Sequence, residues 1–272
     1  MNRLRRRSQE HYFMAENQNV LEELLGLSHD LGATDRGWAI LGEGNTSARI
    51  DQDTFLVKAS GSQLSQLRED QLVAVHFAPL AAALASGETL DDAATRKLLT
   101  DSCVREGVKT PSVETLFHAD LLSLPGVSFI GHTHVTSINS LLCSDNGWAL
   151  MQQGGRLFPD EIVVCGIAPC CVPYTDPGLA LARAIHDAVR KFSDDYGTPP
   201  KTIYLQNHGF IALGATAREV HSITMMADKA AQVLLGAIAA GSPRFLSDAA
   251  VSRIATRPDE HVRQRELGLK AG

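Results

Sequence analysis

Apolar residues recur at helical spacing early in the chain, at Val20, Leu21, Leu24, Leu25, Leu27 and Leu31. They predict an amphipathic helix over 15–32 that stops near Gly32. The period then shortens. Trp38–Leu41 reads as a strand, and the stretch from Gly42 to Ile50 as a glycine turn followed by a second strand. Phe55–Ala59 and Leu72–Phe77 are further strands, the first closed by Ser60-Gly61-Ser62. Residues 79–109 are alanine-rich and then polar. They predict two helices, Pro79–Gly87 and Asp91–Gly107, as an excursion from the sheet.

Thr110-Pro111-Ser112 marks a helix start before the segment 113–122. Val127–Gly131 is a strand, and Thr136–Leu142 begins a helix. Glu161–Cys165 reads as a strand, Gly178–Phe192 as a helix, and Thr202–Gln206 and Phe210–Leu213 as strands. A long helix spans 216–239. The polar tail from Gly241 is weakly patterned, and we expect it to order only against a neighbour. The pattern implies one domain over 1–272, with a core of about 17–240 and a tail of 241–272.

Composition narrows the class. Of the 272 residues 44% are hydrophobic, enough for a sizeable core. The formal net charge of −6 offers no basic face, so nucleic acid is an unsuited partner. The basic run Arg3–Arg7 is short and terminal, and reads as a solvated end. No apolar run reaches the length of a membrane span, and no apolar stretch of the signal-peptide kind follows the arginines. The five cysteines are odd in number, with Cys170 and Cys171 adjacent. That suits a reducing cytoplasm better than a disulfide framework.

Chemistry enters at strand ends. His132 and His134 stand two apart where an apolar strand runs out, and His208 ends another strand. A histidine beside an apolar run is commonly a packed core residue. Two of them at i and i+2 on extended backbone, however, point to the same side. Their ring nitrogens can then reach one ion at about 2.0–2.1 Å, and a third imidazole leaves a coordination position open for substrate. Glu114 falls in the first turn of its expected helix, where it either complements the helix dipole or moves protons. His118 lies one turn on, as a packing residue or a fourth ligand. Gly44-Asn45-Thr46-Ser47 and Ser60-Gly61-Ser62 end successive strands, and such turns either reverse the chain or aim N–H groups at an anion. Lys58 either ends its strand or pairs with an anionic substrate group.

In order along 17–240, Gly44–Ser47, Ser60-Gly61, Pro111–Glu114 with Phe117-His118, His132-Thr133-His134, Pro173-Tyr174 with Pro177-Gly178, and Asn207-His208-Gly209 resemble the class II aldolase/adducin family. The resemblance implies a three-layer α/β/α sandwich around a central, mostly antiparallel sheet. It implies a zinc-type divalent metal, or manganese or cobalt, held by His132, His134 and His208. It makes Glu114 the catalytic acid/base and Tyr174 a group that reaches a neighbouring active site in a homotetramer. Asn45, Ser60, Gly61 and Ser112 match its phosphate-binding positions. Val113 stands where the pattern often has a second hydroxyl, and 79–109 is longer than in the fuculose-type enzymes.

The activity so implied is retro-aldol cleavage of a ketose or ketose phosphate through a metal-stabilised enediolate. Glu114 moves the proton at the carbon that becomes nucleophilic, with a raised pKa expected of a base working near neutrality. Decarboxylation of a β-keto acid is the nearest alternative, since the same metal would hold the same enolate. A non-catalytic adducin-like scaffold is a further one, although this chain keeps all three histidines. Epimerases of the family carry Asp where this chain has Glu114. No GxGxxG follows a strand and opens a helix, so a dinucleotide-dependent oxidoreductase finds no support.

Overall fold

Seven extended segments pair into one sheet in the computed structural model, which describes residues 17–266, 268 and 269. They are β1 (Asn45–Arg49), β2 (Thr54–Lys58), β3 (Leu72–His76), β4 (Phe129–Thr133), β5 (Cys170–Val172), β6 (Thr202–Leu205) and β7 (Gly209–Gly214). The spatial order is β3-β2-β1-β4-β7-β6-β5, and only the β5–β6 pair is parallel. The mostly antiparallel sheet expected from the resemblance is therefore present. The basic run 3–7 and the first two residues of the expected helix over 15–32 lie outside the described residues.

Helices cover both faces. On one lie α1 (Gln18–Leu31), and, later in the chain, the long helix of 217–240. On the other lie α2 (Phe77–Ala85), α4 (Thr115–Leu122) and α8 (Leu179–Tyr196), while α3 (Asp92–Asp101) packs on α2. Leu21, Leu24, Leu27 and Leu31 put one stripe of α1 into the core. Each such burial contributes about 1.5–3 kcal/mol. The remaining helices are α5 (Thr136–Leu142), α6 (Asp145–Gln152), α7 (Pro159–Cys165), α9 (Ala217–Ala240), α10 (Asp248–Ala255) and α11 (Pro258–Glu266). Helix α9 has the length and apolarity to cross a bilayer, but its apolar stripe packs on β4, β7, α1, α5 and α7.

Three expectations are corrected. Trp38–Leu41 is a loop: Trp38 and Ala39 turn into the core, while Leu41 is 74% exposed at a φ of +52°. Glu161–Cys165 lies in helix α7, opened by Pro159 at its first position. A run of four apolar residues after Glu161 does not distinguish strand from buried helix. Here Arg156 decides, donating to the carbonyls of Cys165 and Gly166 at the helix end and to Glu161 within it. The tail does not await a neighbour. Gln264 donates to the Val163 carbonyl, and the Leu246 amide to that of Arg156, so α10 and α11 dock on α7 of their own chain. Strand β5 and helix α6 were not anticipated.

Strand alternation sorts the site from the core. Thr46, Ala48 and Phe129 face α1 and α9, whereas Asn45, Ser47, Ile130 and His132 face α4 and α8. Asn45 is the register partner of His132 across β1 and β4. A buried polar pair thus marks the end of the sheet where the chain leaves β4.

Candidate active site

Three imidazoles meet at that end. His132 is the fourth residue of β4, His134 follows the strand, and His208 sits in the three-residue turn between β6 and β7. Asn207 holds that turn with a φ of +53°. One ring nitrogen from each of the three lies within 4.8 Å of the others. His132 Nε2 and His134 Nε2 are 3.2 Å apart. Two nitrogens bound tetrahedrally to one ion at about 2.0–2.1 Å would stand roughly 3.3 Å apart, so the donor set fits a zinc-sized cation.

Neighbouring backbone prepares this geometry. His132 Nδ1 donates to the Phe210 carbonyl at 3.0 Å, which leaves its Nε2 lone pair facing inward. A Cβ on Gly209 would stand 2.7 Å from the Thr133 carbonyl oxygen and 2.8 Å from His134 Cδ2, so only glycine lets the hairpin approach the histidines. Gly44, at a φ of +65°, brings β1 against the His132 carbonyl, where a Cβ would come within 2.5 Å.

Glu114 completes the cluster. It takes the position that precedes α4, yet its side chain makes no capping bond. Instead Oε1 lies 3.1 Å from His208 Nε2, and Oε2 lies 3.5 Å from His132 Nε2. Burial opposes its charge, but the facing imidazoles of His132 and His208 and the Asn45 amide outweigh that and hold the carboxyl well below its usual range. The raised pKa expected from the sequence is therefore corrected: these surroundings lower it. Burial and the neighbouring imidazoles push His132 and His134 down to about 4. Neutral rings are what a metal needs as ligands.

Other expected site residues fall into place differently. Asn45 Nδ2 donates to Glu114 Oε2 at 2.5 Å, and its Oδ1 pairs with His118 Nε2. His118 is fully buried with both ring nitrogens engaged, the second by Ser47 Oγ at 2.6 Å, so it is no fourth ligand. Ser112 Oγ accepts the Glu114 amide at 3.3 Å. Ser60 and Gly61 form a turn beside it, tied by the Ala59–Pro111 bridge and by the Ser60 amide on the Thr110 carbonyl. Lys58 is buried beneath that turn and donates to the Ser62 carbonyl at 2.6 Å; burial lowers its pKa, partly offset by Glu114. Tyr174 is 56% exposed and gives its hydroxyl to Asp176, outside the hydrogen bonds that join Glu114 to the histidines. Sequence reasoning missed Glu43, whose Oε1 stands 3.9 Å from His134 Nδ1. Its only signal was its place beside the glycine turn.

A two-layered helical cover on an antiparallel sheet, with three imidazoles and a carboxylate at one end, defines a metal-site protein of the class II aldolase kind. The chain belongs to the Class II Aldolase and Adducin N-terminal domain family, whose sequence model matches residues 22–235. It is 25% identical over 213 residues to the uncharacterized oxidoreductase YuxG of Bacillus subtilis (strain 168), covering 75% of this chain and 28% of that protein. The chain thus spans under a third of that relative's length. It is 28% identical over 193 residues to the methylthioribulose-1-phosphate dehydratase of Azotobacter vinelandii, covering 68% of this chain and 78% of that one. A solved L-fuculose 1-phosphate aldolase shares the fold with a TM-score of 0.65 at 19% identity, over 87% of this chain and 94% of that one.

Proposed function

We propose that the chain is a metal-dependent carbon–carbon lyase that cleaves a ketose phosphate by retro-aldol chemistry. One observation carries the reading: a buried carboxyl lies 3.1 Å from His208 Nε2, within a set of three convergent imidazoles. A zinc, manganese or cobalt ion held by His132, His134 and His208 would act as a Lewis acid on adjacent carbonyl and hydroxyl oxygens of the sugar. Glu114 begins the cycle as a base. It takes up a proton and returns it to the carbon that becomes nucleophilic when the C3–C4 bond breaks.

The turn at Ser60 and Gly61, with Ser112 beside it, supports a seat for the phosphate, and the buried ammonium of Lys58 under the turn adds favourable charge. Tyr174, exposed on its own chain, is assigned to the site of a neighbouring copy in a homotetramer. A second reading, loss of water from a ketose phosphate, is favoured by the name of the 28%-identical dehydratase.

The test is a screen of ketose 1-phosphates and β-keto acids with metal-loaded protein. Dihydroxyacetone phosphate, read by coupled NADH oxidation, is the expected product. A dicarbonyl formed without chain cleavage would replace the lyase reading with the dehydratase, and CO2 would replace it with the decarboxylase. Metal binding without turnover of any substrate would leave a scaffold.

A further inference from the structure

We infer that His118 and Asn45 are positioning residues, which hold the Glu114 carboxylate against the histidines through a directed hydrogen-bond relay that starts at Ser47. The inference rests on the reading of Glu114 as the acid–base group. The relay is fully buried and runs from Ser47 Oγ to His118 Nδ1 at 2.6 Å, from His118 Nε2 to Asn45 Oδ1, and from Asn45 Nδ2 to Glu114 Oε2 at 2.5 Å.

Its direction follows from the Asn45 amide, whose Nδ2 donates to Glu114 Oε2 and whose Oδ1 faces His118 Nε2. His118 must therefore donate from Nε2–H. The neutral ring then has a bare Nδ1, and the Ser47 hydroxyl must donate to it. Every member has one consistent role, and reversal at any link would set two acceptors or two donors face to face. Burial, joined by the nearby Lys58 ammonium, pushes His118 down to about 3 despite the opposing Glu114, in keeping with a neutral ring.

A packing histidine would not need this. Phe117 already stacks on the His118 ring, at 4.7 Å between centroids, and a phenyl ring would fill the same volume. Imidazole adds an acceptor and a donor at opposite edges, spanning from Ser47 on β1 to the amide two residues earlier on the same strand. Asn45 spends both ends of its amide in this way. The relay therefore moves Asn45 from the anion seat implied by the resemblance to the support of the catalytic carboxylate. With Oε2 held by Asn45, Oε1 remains directed at His208.

Two measurements decide the matter. Nitrogen-15 NMR of histidine-labelled, unmodified protein should show His118 with a protonated Nε2 and a bare Nδ1. An Nδ1–H tautomer overturns the relay. This readout needs no substrate, so it is independent of the retro-aldol assignment. In turnover, His118→Phe should lower kcat about 10–100-fold, with KM and bound metal within twofold of the parent. His118→Gln, whose amide NH2 reaches about as far as Nε2, should recover most of the loss. A His118→Phe protein that keeps kcat within twofold, or a His118→Gln protein no better than His118→Phe, overturns the inference. Should His118→Phe fail to fold, Asn45→Asp places a second carboxylate against Glu114 and should give a similar fall. Unchanged turnover in that variant overturns the inference as well.

Discussion

Glu114 Oε1 lies 3.1 Å from His208 Nε2, although 94 positions of chain separate the two residues. One precedes a helix on a face of the sheet, and the other tops a hairpin at its end. Their contact makes the cluster more than a trio of imidazoles, because it adds a carboxyl group, the one that moves the proton in the proposed reaction.

Glu114→Gln keeps the volume of the side chain and removes its charge. We expect metal content to persist while kcat falls about 10²–10⁴-fold, the range for loss of a general acid–base group. Metal analysis alongside steady-state kinetics checks both halves. Turnover at the parental rate would reject the role.

His132→Ala removes the most buried of the three histidines proposed to hold the metal, and with it the nitrogen that sits 3.2 Å from His134 Nε2. We expect bound metal to fall well below one ion per chain. Chelator treatment of the parent should abolish activity, and added zinc, manganese or cobalt should restore it. Plasma emission spectrometry of the dialysed proteins reads the stoichiometry.

Acid should destabilise the metal-free protein. His132 and His134 are pushed to about 4 and His118 to about 3, from an ordinary value of 6.5. Between those limits the unfolded chain binds more protons than the folded one, so stability rises with pH. It is whole above about 6.5 and is lost progressively as the pH falls towards 4. Glu114, held low, adds loss of the same sign below its own ordinary range. Thermal melts of chelator-treated protein from pH 7.5 to 4 should show a falling Tm. A flat profile would contradict the burial of neutral rings.

Gly209→Ala probes the close approach of the hairpin. The new methyl meets the Thr133 carbonyl at 2.7 Å and His134 at 2.8 Å. We expect a stability loss of about 1–3 kcal/mol, as overpacking gives. Zinc affinity should weaken with it, since His134 must shift. Urea titration and competition with a chromogenic chelator measure the two effects.

Arg156→Met tests the tail and α7. The guanidinium is buried against Glu161 and two carbonyls, so its loss leaves Glu161 without its ion-pair partner, though still accepting the Leu157 amide, and takes a donor from two helix-end oxygens. Breaking a buried pair costs about 3–5 kcal/mol. A urea midpoint unchanged from the parent would show that water satisfies the site instead.

Much of the fold was legible because period and punctuation agree. Helix α1 carries four leucines on one stripe, β2 ends at the turn read from Ser60 to Ser62, and Pro111 precedes α4. Errors fell where local signals are degenerate. Glu161–Cys165 is a run of five residues with no period of its own, and Arg156 together with the packing of α9, α10 and α11 holds it as a helix. Trp38 looked like strand but is held as loop by its ring N–H on Asp228, a partner 190 residues away.

The sequence by itself determined the kinds of donor and the strand ends that carry them, because side-chain direction on extended backbone has a period of two. It placed His132 and His134 on one side and made His208 their natural third. Tertiary structure alone decided which partners Glu114, Asn45 and His118 find. Each is a short- or long-armed polar group whose partner comes from another element. Burial then obliges every one of them to find a bond, and only the packed sheet and α4 say which.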